Sequence, residues 1–472
     1  MILTLEKDHS MYKTLSICGF RGFASNQNLS LAIPNGEYGS GLTIVVGANN
    51  SGKSTIWETF RALSSPSVSF TEGKRNKKAG NKVFISITDT EGTQTSLQTV
   101  QSGGSETKKD GVFNCFSLQS RRNFNPFFGK ALINRRDYIT HMMPLSGQRS
   151  NNNNNFSNRL FEINTNVEKR NSFNKDLFDV LGYNLDWTIE QSDHGEYYLK
   201  ITFNGVTHNS DGAGEGLLSI FTIVDALYDS ANNDIVTIDE PELSLHPALQ
   251  RRLFDLILKY SRNRQIIIFT HSPFFIGWEA IINGAEFARV CKEKDETKIY
   301  QLSKNSKECI SKFIEDQHNL RTLGLEATEA FFLDDNIILT EGQDDVFYYK
   351  NYFMKRCTNN QLNFFGWGVG GADKMQFMAN ILNDLGYKKV IGILDGDKME
   401  TAKNLNKEFP KFIFLTIPAK DVRDKNKSPE KDAVSGLFST NGQLKQEYEQ
   451  DMDKITNDIF NYLEQTLCQP QN

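Results

Sequence analysis

Gly47-Ala-Asn-Asn-Ser-Gly-Lys-Ser54 follows the apolar run Leu42 to Val46 and opens a helical pattern from about Gly52 to Leu63. The octapeptide fits G-x-x-x-x-G-K-[ST] in the strand–loop–helix context that gives this motif its meaning. Glycines at both ends let backbone N–H groups close around phosphate oxygens, and the helix N-terminus favours an anion. Asn49, Asn50, Gly52, Lys53, Ser54 and Thr55 are therefore the expected nucleotide-binding residues. Lys53 would place a point charge at the β- and γ-phosphates, and the Ser54 hydroxyl would ligate Mg²⁺. The reading predicts an ATP site with Mg²⁺ in the first part of the chain.

Outward from this loop, two later stretches answer it. Ile235-Val-Thr-Ile-Asp239-Glu240-Pro241 is an apolar strand ending in two acids. Asp239 would complete the Mg²⁺ shell, and Glu240 would orient and deprotonate the attacking water. His271, in Ile266-Ile-Ile-Phe-Thr-His-Ser-Pro273, ends the next strand and could reach the γ-phosphate. By itself a packed or capping histidine explains it as well. Ser210-Asp-Gly-Ala-Gly-Glu-Gly216 opens a helix and offers a second anion site through Ser210 and Gly212, or simply a glycine-rich helix start.

The last third carries a different pattern, strand–helix–strand–helix–strand, which reads as a small parallel α/β domain. Glu341-Gly342 ends the strand Asn336 to Thr340, and Asp345 follows about one helical turn later. Asp395-Gly-Asp397 ends the strand Lys389 to Leu394, where residues i and i+2 point the same way. Adjacent ends of parallel strands converge at the carboxyl edge. Four carboxylates gathered there call for cations, and two Mg²⁺ ions ~3.5–4 Å apart can cleave a phosphodiester. Lys420, after the next strand, could stabilise the charged transition state. Glu341, Asp345, Asp395 and Asp397 are the metal-ligand candidates; Glu341, Asp395, Asp397 and Lys420, with Glu240 and His271, are the catalytic ones. Asp-Gly-Asp is also an ordinary turn, and D-x-D also suits haloacid-dehalogenase phosphatases, although there it stands on the first strand of the domain.

Composition narrows the classes. The 472 residues call for two or three domains. With 38% hydrophobic and 24% charged residues, a core is affordable and wholesale disorder is excluded. No apolar run approaches the ~18 residues of a membrane span, and the first residues carry no signal-peptide pattern, so a cytoplasmic protein with no membrane partner is expected. The net charge of -5 confines any nucleic-acid contact to local basic clusters such as Lys74-Arg-Asn-Lys-Lys78, Arg121-Arg122, Arg135-Arg136 and Lys388-Lys389. The six cysteines form no CxxC pair, which argues against a zinc site or disulfide framework. The run Asn151 to Asn155 reads as a surface loop.

The first set of motifs resembles an ABC-type ATPase head of the branch shared with SMC, Rad50 and RecF proteins. Ser210 and Gly212 resemble a degenerate signature motif, Leu243-Ser-Leu-His-Pro247 a D-loop, Gly19-Phe-Arg-Gly-Phe23 the N-terminal element of that branch, and Gln119 a Q-loop residue. In that family the signature serine of one subunit reaches the nucleotide of another, so the resemblance implies a homodimer or higher oligomer. The glutamate-glycine and Asp-Gly-Asp strand ends resemble a Toprim domain, with Gly370-Gly-Ala-Asp-Lys374 as its glycine-rich loop. The fold class so implied is α/β: an ABC-type P-loop ATPase head followed by a small parallel α/β Toprim domain. The expected boundaries are 1–302 for the head, with a helical and Asn-rich insertion at about 125–182, 303–333 for a helical linker, and 334–472 for the Toprim domain with a charged tail.

Together the two halves resemble the OLD family of ATP-dependent nucleases, a pairing shared with the Gabija nuclease subunit and certain retron effectors. The resemblance implies an ATP-regulated endonuclease using Mg²⁺, or Mn²⁺ at the acidic site. It implies a nucleic-acid substrate, with DNA ahead of RNA, a role in anti-phage defence, and a defence-system partner protein or RNA. The rival reading is a non-cleaving ATP-driven nucleic-acid clamp or sensor whose acidic domain binds a partner. Topoisomerase and primase activities want a tyrosine-bearing domain and a zinc module that the sequence does not offer.

Overall fold

A computed structural model describes residues 10–120, 122, 127–128, 156–203, 205–209, 214–315, 328, 330–332, 335–354, 356, 362–426 and 433–464. The chain divides into two compact units, Met1–Gln301 and Leu302–Asn472.

The first unit is organised by strands that are buried along their whole length, Leu42–Val46, Ile235–Asp239 and Gln265–Thr270. That is what parallel strands covered on both faces require. They lie in a six-stranded sheet in the order Glu296–Gln301, Glu286–Glu293, Leu42–Val46, Gln265–Thr270, Ile235–Asp239, Phe116–Leu118. All neighbours are parallel except the edge strand Glu296–Gln301, which pairs antiparallel. The helix Lys53–Ser64 leaves the central strand through the glycine loop. Its Ile56, Trp57 and Phe60 join Leu15, Ile17, Ile85 and Ile87 in one core cluster. Those last four come from a five-stranded antiparallel sheet, Gln27–Ser30, Tyr12–Cys18, Phe84–Asp89, Gln94–Thr99, Thr107–Asp110.

Several elements differ from expectation. Thr107–Asp110, a polar stretch, is an edge strand whose ladder with Gln94–Thr99 needs no apolar side chains. The hairpin Glu286–Glu293/Glu296–Gln301 was not anticipated. Within the expected helical insertion stand two helices, Phe156–Thr165 and Val167–Leu181, broken where the Asn166 side chain caps the Lys169 N–H. Asp186–Gln191 and Tyr197–Phe203 pair antiparallel as a hairpin. The Asn151 to Asn155 run and Arg135-Arg136 lie outside the described residues.

In the second unit four parallel strands run in the order Asn363–Phe364, Ile337–Thr340, Val390–Leu394, Ile413–Thr416. Gly392 is required here: a Cβ would stand 2.2 Å from the Phe414 ring. The stretch expected as a linker contributes helix Lys304–Glu315 to this unit, anchored where the Ser303 N–H and the Ser306 hydroxyl donate to Asp384 at 2.8 and 2.6 Å. The expected charged tail contains helix Glu449–Glu464, whose Met452, Ile459 and Leu463 are buried with Ile338, Ile391 and Ile393 of the sheet. Among the described residues no helix is long and apolar enough to cross a membrane.

Candidate functional site

Parallel register brings the nucleotide candidates to one edge. Val46 pairs with Thr270, Phe269 with Asp239, and Ile238 with Leu118. Gly47, His271, Glu240 and Gln119 therefore leave neighbouring strands at the same carboxyl end. Gly47 and Gly52 have φ of 157° and 118°. A Cβ on Gly47 would meet the Val290 carbonyl at 2.2 Å, so the loop closes only with glycine there. Asn49 and Asn50 are exposed on the loop, Ser54 is half-buried, and Thr55 is buried.

Lys53 is buried and turned back on its own loop, with Nζ donating to the Gly47 and Ala48 carbonyls at 2.7 and 3.1 Å. Nζ also lies 3.4 Å from His271 Nδ1. Burial pushes the Lys53 ammonium down to about 8, against the pull of Asp239, Glu240 and Glu242. His271 is pushed down to about 4, by burial first and then by the Lys53 charge. A neutral imidazole that faces an ammonium through Nδ1 carries its proton on Nε2. That atom lies 3.9 Å from Glu240 Oε1.

Glu242, absent from the sequence reading, holds this edge together. Its carboxylate accepts the His271 N–H at 2.6 Å and the Thr270 hydroxyl at 2.9 Å. Burial pushes its pKa up. It stands in the acid run Asp239-Glu-Pro-Glu242, which was the available signal. Gln119 is buried, and among the described residues neither its Oε1 nor its Nε2 meets a hydrogen-bond partner; the same is true of the Ser51 hydroxyl. Buried amide and hydroxyl groups left this way fit a missing polar ligand. These orphaned groups, the Lys53 ammonium and the glycine cradle together fit a Mg²⁺-nucleotide. Ser244 of the D-loop-like segment has φ 62° and donates to Glu215 Oε2 at 3.2 Å. Ser210 and Gly212 lie outside the described residues.

In the second unit the strands Ile337–Thr340 and Val390–Leu394 are direct neighbours, so Glu341 and Asp395 leave adjacent ends. Glu341 Oε1 accepts the Asp395 N–H at 2.8 Å. Asp345 Oδ2 accepts the Gly342 N–H at 2.8 Å. Gly370 and Gly371 donate their N–H groups to the Glu341 carbonyl, which wraps the glycine-rich loop over the strand end. Burial pushes Asp345 up to about 6. Asp395 is pushed up to about 8, by burial and then by Glu341, Asp345, Asp421 and Asp397. Asp397 is exposed and pairs with Lys398 at 3.1 Å. Lys420 is exposed; the next residue, Asp421, is the buried one and pairs with Lys425. Asp421 was missed because nothing local marks which of two neighbours turns inward at a strand exit. Among the described residues no three His, Cys, Asp or Glu side chains stand together as a ready metal cage. The donor set is nevertheless all carboxylate, the chemistry that suits a hard divalent cation.

The family model described as "AAA domain, putative AbiEii toxin, Type IV TA system" matches residues 42–277, half of the chain. No curated protein matches the sequence. Among solved structures the chain is similar to an SMC head domain from Thermotoga maritima, at 15% identity over 62% of this chain and 99% of that one, with a TM-score of 0.36. It is also similar to the Smc head domain with an extended coiled coil bound to the C-terminal domain of ScpA, derived from Pyrococcus furiosus. There the identity is 13% over 65% of this chain and 100% of that one, with a TM-score of 0.42. The glycine cradle, the buried lysine and the acid-ended strand Ile235–Asp239 fall inside the matched span, and the chain belongs to this AAA-domain family.

Proposed function

We propose that the chain is an ATP-regulated, divalent-metal-dependent endonuclease, with a Toprim-like second unit of the kind found in OLD-family enzymes. The observation that carries the reading is the convergence of Glu341 and Asp395 on adjacent parallel strand ends, with Asp345 and Asp421 close enough to help drive the Asp395 carboxyl up to about 8. A site that crowds carboxyls until one keeps its proton near neutrality is suited to cation binding. Glu341, Asp345, Asp395 and Asp397 would hold Mg²⁺ or Mn²⁺. Bound there, the ions would activate water and stabilise the leaving oxygen of a phosphodiester. Lys398, which pairs with Asp397 and acts on Glu341, is better placed than Lys420 to meet a phosphate.

In the head, Lys53 would exchange its loop carbonyls for the β- and γ-phosphates, and Ser54 and Asp239 would hold Mg²⁺. Gln119 would satisfy its buried amide on the same assembly. Glu240 would take the proton of the attacking water, with neutral His271 at the γ-phosphate. Ser210 and Gly212 would be supplied by a second copy of the chain, giving a homodimer that uses ATP to gate cutting. The proposed substrate is DNA, and the proposed setting is defence against phage.

The test is incubation of the purified chain with plasmid, single-stranded DNA and tRNA, with Mg²⁺ or Mn²⁺, with and without ATP. Asp395→Ala should abolish cutting and keep ATP binding; Lys53→Ala should do the reverse to nucleotide binding and leave the acidic edge intact. Cleavage unaffected by Asp395→Ala would refute the nuclease reading.

A further inference from the structure

Arg122 is fully buried at the meeting of three elements of the head. Its Nη1 donates to the Gln119 carbonyl at 2.6 Å and to the Asp239 carbonyl at 2.8 Å. Its Nη2 donates to the Glu240 carbonyl at 2.6 Å. Its Nε donates to the Ser219 hydroxyl at 2.7 Å. Ser219 stands on helix Glu215–Tyr228. Every one of these acceptors is an uncharged oxygen. A guanidinium buried among neutral oxygens pays a desolvation cost that a direct carboxylate pair would offset, and its pKa falls to about 10. Plain core packing would not select such an arrangement. A planar fork of five donors, which only arginine has, can tie four acceptors on three segments.

Glu240 supplies the reason. Its φ is 49°, in the left-handed region, at a cost of about 1–2 kcal/mol for a residue with a Cβ. Its N–H donates to the Phe269 carbonyl at 2.8 Å, and its own carbonyl takes both the Leu243 N–H, at 3.1 Å, and Arg122. The bond from Arg122 fixes the peptide that follows the strained residue, and with it the direction of the carboxylate toward His271. The same guanidinium holds the backbone of Gln119, which leaves its strand at the same carboxyl edge as Gly47 and His271.

We propose that Arg122 is a positioning residue for ATP hydrolysis: it locks Glu240 in its left-handed conformation and ties that lock to Gln119 on one side and to helix Glu215–Tyr228 on the other. The proposal rests on the reading of Glu240 as the group that activates water. Loss of the lock leaves the phosphate cradle untouched and lets the carboxylate drift.

The experiment uses the full chain. ATP affinity is measured with a fluorescent ATP analogue and turnover by phosphate release, for wild type, Arg122→Ala, Arg122→Lys, Glu240→Gln and the double variant Arg122→Ala/Glu240→Gln. A misplacement of about 1 Å costs roughly 100-fold, so Arg122→Ala should lower kcat about 100-fold. KM and the analogue's Kd should stay within about threefold of wild type, since the cradle is intact. Arg122→Lys should recover part of the rate, and methylguanidine should restore part of it to Arg122→Ala. In the Glu240→Gln background, Arg122→Ala should cost nothing further, because both act through one carboxylate. Turnover unchanged in Arg122→Ala, or an equal further loss in the double variant, overturns the proposal. If Arg122→Ala does not fold, Arg122→Lys with an unchanged kcat overturns it as well. A wild-type chain that binds ATP but shows no dependence on Glu240 refutes the reading beneath it instead.

Discussion

Asp395→Asn should make the second unit more stable in alkaline solution. In the folded chain Asp395 titrates at about 8, against an ordinary 3.8. Its folded pKa is raised, so the fold favours the protonated carboxyl. The associated stability is complete below about pH 4 and is lost as pH rises through about 8. Each pKa unit corresponds to about 1.4 kcal/mol. Solvent screening of a half-buried carboxyl, shared with its neighbours, leaves about 2 kcal/mol. Asparagine imitates the protonated acid and avoids the loss. For a unit of this size that amount moves the melting temperature by about 4–8 °C. Thermal melts in EDTA at about pH 3.5 and about pH 8.5 would compare the two proteins. The titrations of Lys53 and His271 are common to both and cancel in the difference. The variant should match wild type in acid and exceed it by several degrees in base, and Mg²⁺ should close the gap. An equal difference at both pH values would refute the reasoning about this edge.

Three further outcomes follow from the packing. Gly368→Ala puts a Cβ 2.7 Å from Gly342 at a backbone φ of +93°; it should destabilise by about 1–3 kcal/mol in urea titration and displace the loop that wraps Glu341. Ile459→Ala, in the C-terminal helix, empties a fully buried site; it should cost about 2–5 kcal/mol in the same assay, whereas a dangling tail would show none. Arg159→Met strands Asp225, which pairs with Arg159 at 3.0 Å with both side chains buried; a loss of about 3–5 kcal/mol in denaturant unfolding is expected, and much of it should return when Asp225→Leu is added.

The nucleotide edge could be read from sequence because its parts announce themselves. A largely apolar pentapeptide such as Leu42–Val46 ends in the one loop chemistry that closes round phosphate, and Asp239 and His271 stand at the ends of strands of the same kind. Glu341 and Asp395 were legible for the same reason. Gln119 was harder, since its strand Phe116–Leu118 has only three residues and shows no period. Arg122 carries no sequence signature at all: its partners are mostly backbone carbonyls, which every residue owns, and only the fold brings them together. Helix Glu449–Glu464 hid differently. Met452, Ile459 and Leu463 do keep helical spacing, but Glu449, Asp451, Asp453, Lys454 and Asp458 dilute it to the eye. Thr107–Asp110 is stabilised by its ladder alone and has no apolar residue to reveal it.

The account turns on whether the acidic edge of the second unit gathers divalent ions. Titration of Mn²⁺ into the nucleotide-free chain, followed by electron paramagnetic resonance, tests this directly, because the P-loop binds its ion together with a nucleotide. The account predicts about one to two tightly bound Mn²⁺ per chain, lost in Asp395→Ala and in Glu341→Gln but kept in Lys53→Ala. Equal Mn²⁺ binding by wild type and Asp395→Ala would contradict it.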